Sequence, residues 1–221
     1  MQFHIITIFP DIFNSYFSES ILKRAQKEKK IKIKIHDLRQ WTNDKHKTVD
    51  DTPYGGGAGM VMKVEPLYKA IKSIKSKCKS QNAKVILLSA KGKTWNQQIV
   101  KKYSKLDEII LICGRYEGVD ERIASFIDGE ISIGDYVLTG GEIPAMAMVD
   151  SITRLIPGVL GNNASIEDES HSKPGHLEYS QYTKPEVFTA HGKKYKVPKI
   201  LLSGHHQKIK DWRTKQIKKK K

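Results

Sequence analysis

The sequence has 221 residues, of which 39 are Lys or Arg and 24 are Asp or Glu, and its formal net charge is +15. This length can bury a sizeable core and suits one domain or one domain with a small appendage. The two cysteines, Cys78 and Cys113, have no paired spacing, so they indicate neither a disulfide framework nor a zinc site. We therefore expect a reducing, cytoplasmic compartment.

No apolar run is long enough to span a membrane, and no membrane partner is predicted. The apolar residues 1–10 lack the charged region of a signal peptide and indicate a first buried strand. The positive charge would attract a polyanion over long range. Lysine drift in an AT-rich genome gives the same composition, and many lysines lie on predicted helix exteriors. Charge alone therefore leaves both interpretations open.

Strand-like and helix-like segments alternate along the chain. The predicted strands cover residues 3–9, 31–35, 84–89, 108–113 and 131–133. The predicted helices cover residues 12–21, with Asp11 as N-cap, 67–78, 95–103, 119–127 and 142–155. This order indicates an α/β fold.

The helix predicted at residues 142–155 is apolar on nearly every side. A helix that is hydrophobic all round must be buried on all its faces. It is either a central core helix or a helix that packs across a subunit interface.

The composition changes at Gly161. Residues 162–185 are polar and have no apolar period, which is typical of a linker or loop. A basic helix is predicted from His205 to about Lys218, with Ile209 and Trp212 on its buried side.

Glycine-rich loops follow three predicted strands, at residues 89–92, 114–122 and 133–145. Glycine lets a backbone approach a ligand closely, although an ordinary turn has the same composition. Three such loops at the carboxyl ends of strands predict the ligand crevice of an open α/β sheet.

A fourth glycine-rich segment, residues 54–60, matches neither the dinucleotide-binding spacing nor a P-loop. It is either a ligand-shaping loop or an exposed Ω-loop. The eight histidines form no metal-binding array, so no metal ligand is predicted.

Six motifs follow one another in an order that matches one family. They occupy residues 48–51, 54–60, 89–92, 114–122, 133–145 and 154–161. From Phe9 to Arg213 the chain resembles the bacterial tRNA (guanine-N1)-methyltransferases of the SPOUT superfamily.

The resemblance implies a parallel-sheet domain with a C-terminal trefoil knot at residues 1–160, which binds S-adenosyl-L-methionine. It also implies a flexible linker at residues 161–190 that carries the catalytic acid, and a short basic helical appendage at residues 191–221 that binds tRNA. Physical rules argue against knots, so that expectation rests on the resemblance alone. Relatives work as homodimers with active sites at the interface.

The resemblance also places the methyl donor. The implied cofactor residues are Leu88, Ser89, Gly114, Tyr116, Ile133, Gly134, Asp135, Tyr136, Val137, Leu138, Gly140, Gly141 and Pro144. Leu138 and Pro144 would form an apolar wall. The family leaves a Mg²⁺ requirement open, and no motif indicates a Mg²⁺ site.

Methylation at guanine N1 requires a base for the N1 proton and a cation for the charge that moves to O6. The resemblance implies Arg154 as the cation and Glu117 as the carboxylate that reads the guanine. Asp50 would shape the pocket. The family base is the Asp of a Glu-Asp-Ser motif, where this chain has Glu169, and Asp168 is the alternative base if the alignment shifts by one residue.

The target implied by the resemblance is the guanine just 3′ of the anticodon. Two other functions stay open: a related enzyme that methylates ribosomal RNA or a ribose, and an RNA-binding relative without catalysis.

Overall fold

The computed structural model describes residues 1–80, 82–161, 169–173 and 175–219. The chain forms two compact units, Met1–Gly161 and Asn162–Lys221. The division falls where the sequence turns polar. Asp168, one of the two candidate bases, lies outside the described residues.

The first unit is built on a five-stranded sheet in the order β2-β1-β6-β5-β7, and every neighbouring pair is parallel. Its strands are β1 (Gln2–Thr7), β2 (Lys32–Asp37), β5 (Lys84–Thr94), β6 (Glu108–Cys113) and β7 (Gly129–Ser132). A separate antiparallel pair consists of β3 (Asp50–Asp51) and β4 (Val61–Met62). The predicted α/β class is confirmed, and the trefoil knot stays a prediction.

The α-helices of this unit are α1 (Asn14–Phe17), α2 (Ser20–Lys27), α3 (Val64–Lys75), α4 (Gln97–Tyr103) and α5 (Glu142–Thr153). Short 3-10 helices cover Pro10–Phe13, Leu38–Trp41 and Glu121–Phe126. Among the described residues, no helix has the length and apolar character needed to cross a membrane.

The core lies on both faces of the sheet, and β6 is buried at every position. Because side chains alternate along a strand, Ile109 and Leu111 pack with α5 on one face. Ile110 and Ile112 pack with α3 on the other face. The central strand is therefore covered on both faces, and the sheet holds α5 and the neighbouring loops in place.

The predicted loop at residues 89–92 is instead part of a long, irregular β5. This strand pairs with β7 twice, because Leu88 and Lys93 both lie opposite Ile131 across a register shift. A Cβ atom at Gly92 would meet the Ile131 backbone nitrogen at 2.5 Å. The glycine therefore serves close strand packing here rather than an open turn.

Two predicted helices have a different geometry. The one predicted at residues 12–21 is broken into a 3-10 helix, α1 and α2, and Ser20 at the start of α2 has a positive φ of 49°. Asp11 lies in the first turn of the 3-10 helix rather than at its cap. The segment predicted at 119–127 is the 3-10 helix Glu121–Phe126, capped by the carboxylate of Asp120.

Helix α5 is largely a core helix of its own unit. Ala145, Met148, Val149 and Ile152 are fully buried within one chain. Ile143 is 57% exposed. The apolar side chains thus need no second subunit except near the start of the helix.

The second unit contains strands that the sequence analysis did not predict. They are β8 (His176–Leu177), β9 (Val187–Ala190), β10 (Lys193–Lys196) and β11 (Lys218–Lys219), together with a 3-10 helix at Lys199–Leu202 and the helix α6 (His206–Gln216). Strands β9 and β10 form a hairpin whose two-residue turn, His191-Gly192, has positive φ at both positions. The appendage is therefore a hairpin followed by a helix, and the interval predicted as a linker contains β8 and β9.

Candidate active site

A cavity of about 250 Å³ opens at the carboxyl ends of β6 and β7, beside the irregular middle part of β5. These strands are neighbours in the sheet, so the segments that follow them meet at one edge. The predicted cofactor residues that line the cavity are Leu88, Ser89, Gly114, Tyr116, Ile133, Tyr136, Val137, Leu138, Gly140, Gly141 and Pro144. The crevice predicted from the glycine-rich loops thus corresponds to a cavity.

Close backbone contact fixes one side of this cavity. The N–H of Gly141 donates to the carbonyl oxygen of Gly114 at 2.9 Å, next to an antiparallel bridge between Arg115 and Gly140. A Cβ atom at Gly141 would lie 2.7 Å from the Cα of Cys113. Only glycine permits this approach, which brings the start of α5 against the end of β6.

A buried ion pair lies beneath the same loops. Glu142 is 2% exposed, and its carboxylate accepts hydrogen bonds from Arg115 Nε at 2.9 Å and from Thr7 Oγ1 at 2.8 Å. The Arg115 guanidinium also lies over the ring of Phe9 and donates to the carbonyl of Thr139. The network joins β1, the segment after β6 and the start of α5 through charge-assisted hydrogen bonds.

Cys113 lies beside this ion pair but is not a reactive thiol. Burial, together with the nearby carboxylate of Glu142, raises the pKa of the Cys113 thiol well above its usual value. The side chain therefore stays protonated and acts as a core residue.

The glycine-rich segment at residues 54–60 contacts the cavity through Glu117. The N–H of Glu117 donates to the carbonyl of Met60 at 3.0 Å. A Cβ atom at Gly59 would lie 2.6 Å from both Cγ and Oε1 of Glu117. The segment therefore shapes the surroundings of the one carboxylate assigned to guanine recognition, and its last glycine leaves room for that side chain.

Asp50 contacts the site indirectly, through Tyr116. Burial, and then the charge and a hydrogen bond of Asp50, raise the pKa of the Tyr116 hydroxyl. Tyr116 lines the cavity and has a positive φ of 61°. Asp50 is therefore placed to hold Tyr116 in the cavity wall.

Gly134 and Asp135 do not line the cavity in this structure. Gly134 instead shapes the loop after β7, where its N–H donates to Ser132 Oγ at 3.2 Å. A Cβ atom at Gly134 would lie 2.4 Å from the ring of Tyr136. This glycine is what allows Tyr136 to fold back toward the cavity.

Arg154, the predicted catalytic cation, is not among the described residues that line the cavity. Arg154 caps the carboxyl end of α5, whereas Pro144 in the first turn of that helix belongs to the cavity wall. At about 1.5 Å of rise per residue, the helix separates Pro144 from Arg154 by about 15 Å. Glu169 belongs to the second unit, where its carbonyl oxygen accepts a hydrogen bond from Ser172 N at 3.0 Å.

The cavity has the mixed lining of a small-molecule site. Gly114, Gly140 and Gly141 leave backbone uncovered in its wall, while Leu138 and Pro144 supply apolar surface. A Cβ atom at Gly114 would lie 3.3 Å from the carbonyl oxygen of Leu88. Small-molecule sites typically combine such an apolar lining with a few polar groups.

Sequence reasoning missed Arg115 and Glu142 as parts of the site, and it offered residues 54–60 as a ligand-shaping loop without singling out Gly59. Arg115 and Glu142 lie inside the recognised motifs, but their pairing joins positions far apart in the chain. A charged residue inside an apolar, glycine-rich motif indicates that it has a partner of opposite charge. The sequence does not show which residue is that partner.

The second unit presents basic and aromatic side chains at its surface. Phe188 and Tyr195 are more than half exposed on the β9–β10 hairpin, with lysines beside them. On α6, the Arg213 guanidinium lies 4.8 Å from the ring centre of Tyr179. Aromatic and cationic groups in this combination suit contact with nucleic acid.

Comparison with known proteins identifies the family. The tRNA (Guanine-1)-methyltransferase TrmD family matches residues 1–221. The chain is 54% identical to the tRNA (guanine-N(1)-)-methyltransferase of Dictyoglomus turgidum over 220 residues, covering 100% of this chain and 86% of the relative. It is also 54% identical to that of Clostridioides difficile over 214 residues, covering 96% and 90%.

A solved structure agrees with this result. The tRNA (m1G37) methyltransferase of Aquifex aeolicus superposes with a TM-score of 0.79 at 40% identity, covering 96% of this chain and 87% of that structure. The fold and the sequence of the crevice therefore lead to one conclusion: the chain belongs to the tRNA (guanine-1)-methyltransferase family.

Proposed function

We propose that the protein transfers a methyl group from S-adenosyl-L-methionine to N1 of the guanine just 3′ of the anticodon of tRNA. The observation that carries the proposal is the convergence on one cavity of the irregular part of β5 and the loops after β6 and β7, with Glu117 also in the cavity wall. Family membership supplies the reaction class. tRNA is then the polyanionic partner that the net charge of +15 suggests.

Residues of the cavity wall would hold the donor. S-adenosyl-L-methionine supplies an electrophilic methyl group when bound, so the protein's main task is positioning. Leu138 and Pro144 would cover the apolar face of the adenine, and uncovered backbone at Gly140 and Gly141 would approach its edge. The buried Arg115–Glu142 pair holds these glycines in place.

Three charged side chains would act on the guanine. Glu117 is suited to accept hydrogen bonds from N1–H and the N2 amino group, which a carboxylate does more strongly than a neutral acceptor. Glu169 would then take the N1 proton as general base. Arg154 would stabilise the negative charge that moves toward O6.

We infer a homodimer because one chain does not bring Arg154 to the cavity. Within a protomer, about 15 Å of helix lies between Pro144 in the cavity wall and Arg154. The exposed apolar residues Tyr136, Val137 and Ile143 lie at the cavity end of α5. A second copy that covers them would bring its own Arg154 and Glu169 to the site.

The dimer is tested with two substitutions in α5. Ile143→Asp puts a charge on an exposed apolar surface, so we expect a folded monomer with little activity. Met148→Asp puts the charge into the core of one chain, so it should prevent folding instead. Analytical ultracentrifugation and circular dichroism separate these outcomes. A fully active wild-type monomer would disprove the dimer.

Mass spectrometry of nucleosides tests the activity itself. Undermodified tRNA from the cytoplasm, where we place the protein, is incubated with the enzyme and S-adenosyl-L-methionine and then digested. We expect 1-methylguanosine next to the anticodon, preferentially where the preceding base is also guanine. Methylation only in ribosomal RNA or on ribose would establish the related activity, and binding without transfer would indicate a non-catalytic relative.

A further inference from the structure

Five polar residues form a cluster at the amino end of the sheet, opposite the crevice. We call Gln2, His4, His36, Cys78 and Glu108 the amino-end cluster. His4 and Glu108 are 2% and 6% exposed, although both are polar. Polar side chains buried this deeply require partners, so their arrangement is informative.

Strand register brings these residues onto one face of the sheet. Gln2 lies opposite Glu108 on β6, and Ile6 lies opposite His36 on β2. Because side chains alternate along β1, positions 2, 4 and 6 share a face. Helix α3 covers this face, and Cys78 follows the end of α3.

Three donor atoms of different elements converge there. One nitrogen of His4, the sulfur of Cys78 and one oxygen of Glu108 all lie within 4.8 Å of one another. His4 Nε2 is 3.4 Å from Glu108 Oε2. Ligands of one Zn²⁺ ion, each about 2.0–2.3 Å from the metal, lie roughly 3–4 Å apart. Small side-chain adjustments would therefore bring the three atoms into coordination.

Hydrogen bonds orient His4 as a ligand. The Gln2 amide nitrogen donates to Glu108 Oε2 at 3.1 Å and lies 2.6 Å from His4 Nε2. An N–H donor at that position requires a lone pair on Nε2. The proton then resides on Nδ1, which is 3.0 Å from His36 Nε2. Metal-binding histidines are commonly fixed in this way by a partner on the other ring nitrogen.

We propose that His4, Cys78 and Glu108 bind one zinc-type divalent ion, with His36 as the residue that positions His4. A nitrogen, sulfur and oxygen donor set favours Zn²⁺ or Co²⁺ over Mg²⁺, which prefers oxygen. Water completes four-coordination. The ion joins the turn after α3 to β1 and β6, so its role is to stabilise the first unit.

Charge balance supports a divalent ion. Metal binding releases the Cys78 thiol proton to solvent and leaves a thiolate. One thiolate and one carboxylate neutralise the ion, which offsets the repulsion from nearby Lys34 and Lys75.

Titration of the full-length, chelator-treated protein with Co²⁺ tests the site. We expect saturation at one equivalent, with a sulfur-to-cobalt charge-transfer band that excess Zn²⁺ removes. Zn²⁺ should also raise the unfolding temperature, because an ion that binds only the folded state stabilises it. Cys78→Ser should abolish the band, although Cys113 is still present.

Further variants distinguish this site from metal binding elsewhere on the chain. Glu108→Gln should weaken Co²⁺ binding even if Cys78→Ser does not fold, and His36→Gln should weaken it about 10–100-fold. The double variant His205→Gln/His206→Gln should keep the band, with circular dichroism verifying each fold. No saturable binding by the wild type, a band that survives Cys78→Ser, or a band lost only in the double variant would overturn the proposal.

Discussion

The two units hold their functional side chains in different ways. In the first unit, Glu142 is almost fully buried and paired, and Gly141 packs directly against β6. Among the described residues of 162–221, no side chain is fully buried. Helix α6 instead makes contacts at the surface, where the ring centres of Trp212 and Tyr182 are 6.4 Å apart. The crevice of the first unit is therefore organised by core packing, while the unit that contains Glu169, the proposed base, relies on contacts open to solvent.

The largest expected effect comes from breaking the buried ion pair. Arg115→Met leaves the Glu142 carboxylate buried with its cationic partner removed, which typically costs about 3–5 kcal/mol. Chemical denaturation would show the loss in the first unit, together with weaker binding of S-adenosyl-L-methionine. Adding Glu142→Gln to Arg115→Met should recover part of the stability. A single variant as stable as the wild type would show that packing alone holds the crevice.

The second unit is tested at its candidate base. Glu169→Gln should leave cofactor affinity nearly unchanged, because the cavity is built by the first unit. The single-turnover rate of tRNA methylation should fall by about 10²-fold or more, because proton removal from N1 is lost. Glu169→Asp shortens the side chain, and a misplacement of about 1 Å can cost roughly 10²-fold.

Asp168→Asn is the control for this experiment. If that change abolishes methyl transfer while Glu169→Gln stays active, Asp168 is the base and the alignment is off by one residue. Activity in both variants would contradict the carboxylate mechanism.

The contrast between the units also explains what the sequence could predict. Apolar runs predicted the strands of the α/β fold, because strands such as β6 are buried on both faces, whereas the parallel-sheet domain was implied by the family resemblance. The β9–β10 hairpin was missed because its strands, largely exposed, have no apolar alternation. Its His191-Gly192 turn was a usable signal, since glycine accepts the positive φ that such a turn requires.

For the candidate site, too, some features could be predicted from the sequence and others could not. Loops after strands could be predicted, because parallel strands bring their carboxyl ends to one edge. Pairings between distant positions could not, and this applies to Arg115 with Glu142 and to His4 with Cys78 and Glu108. No spacing signature connects such residues, since tertiary packing alone brings them together.

A smaller loss of cofactor affinity is expected from a change at Gly141, which packs against β6 in the crevice wall. Gly141→Ala would force a methyl group against the Cys113 backbone, and overpacking of this kind costs about 1–3 kcal/mol. Isothermal titration should show cofactor affinity reduced by a factor of roughly 5–150. Gly161→Ala is the matched control, because nothing lies within 4 Å of its Cβ position. Equal affinities for the two variants would refute the close-packing argument.

Gly59→Ala separates substrate recognition from cofactor binding. The new methyl group would displace the Glu117 side chain, so we expect the KM for tRNA to rise about tenfold with cofactor affinity retained. Gly55→Ala introduces comparable backbone strain, at φ 86° against 83° for Gly59, but nothing lies within 4 Å of its Cβ position. Identical kinetics in both variants would attribute the effect to strain rather than to Glu117.

The smallest expected effect concerns the basic surface of the second unit. Lys194 on β10 is exposed beside Tyr195, in a hairpin suited to phosphate and base contacts. If Lys194 contacts a tRNA phosphate, Lys194→Gln should weaken binding modestly and reduce the slope of log affinity against log salt by about 1. Lys102 is an exposed residue of α4 in the first unit. Lys102→Gln removes the same charge and should leave that slope unchanged. Equal slopes for the two variants would mean that the lysines act only through net charge, as a lysine-rich composition alone would predict. A difference between them would identify the second unit as the tRNA-binding surface.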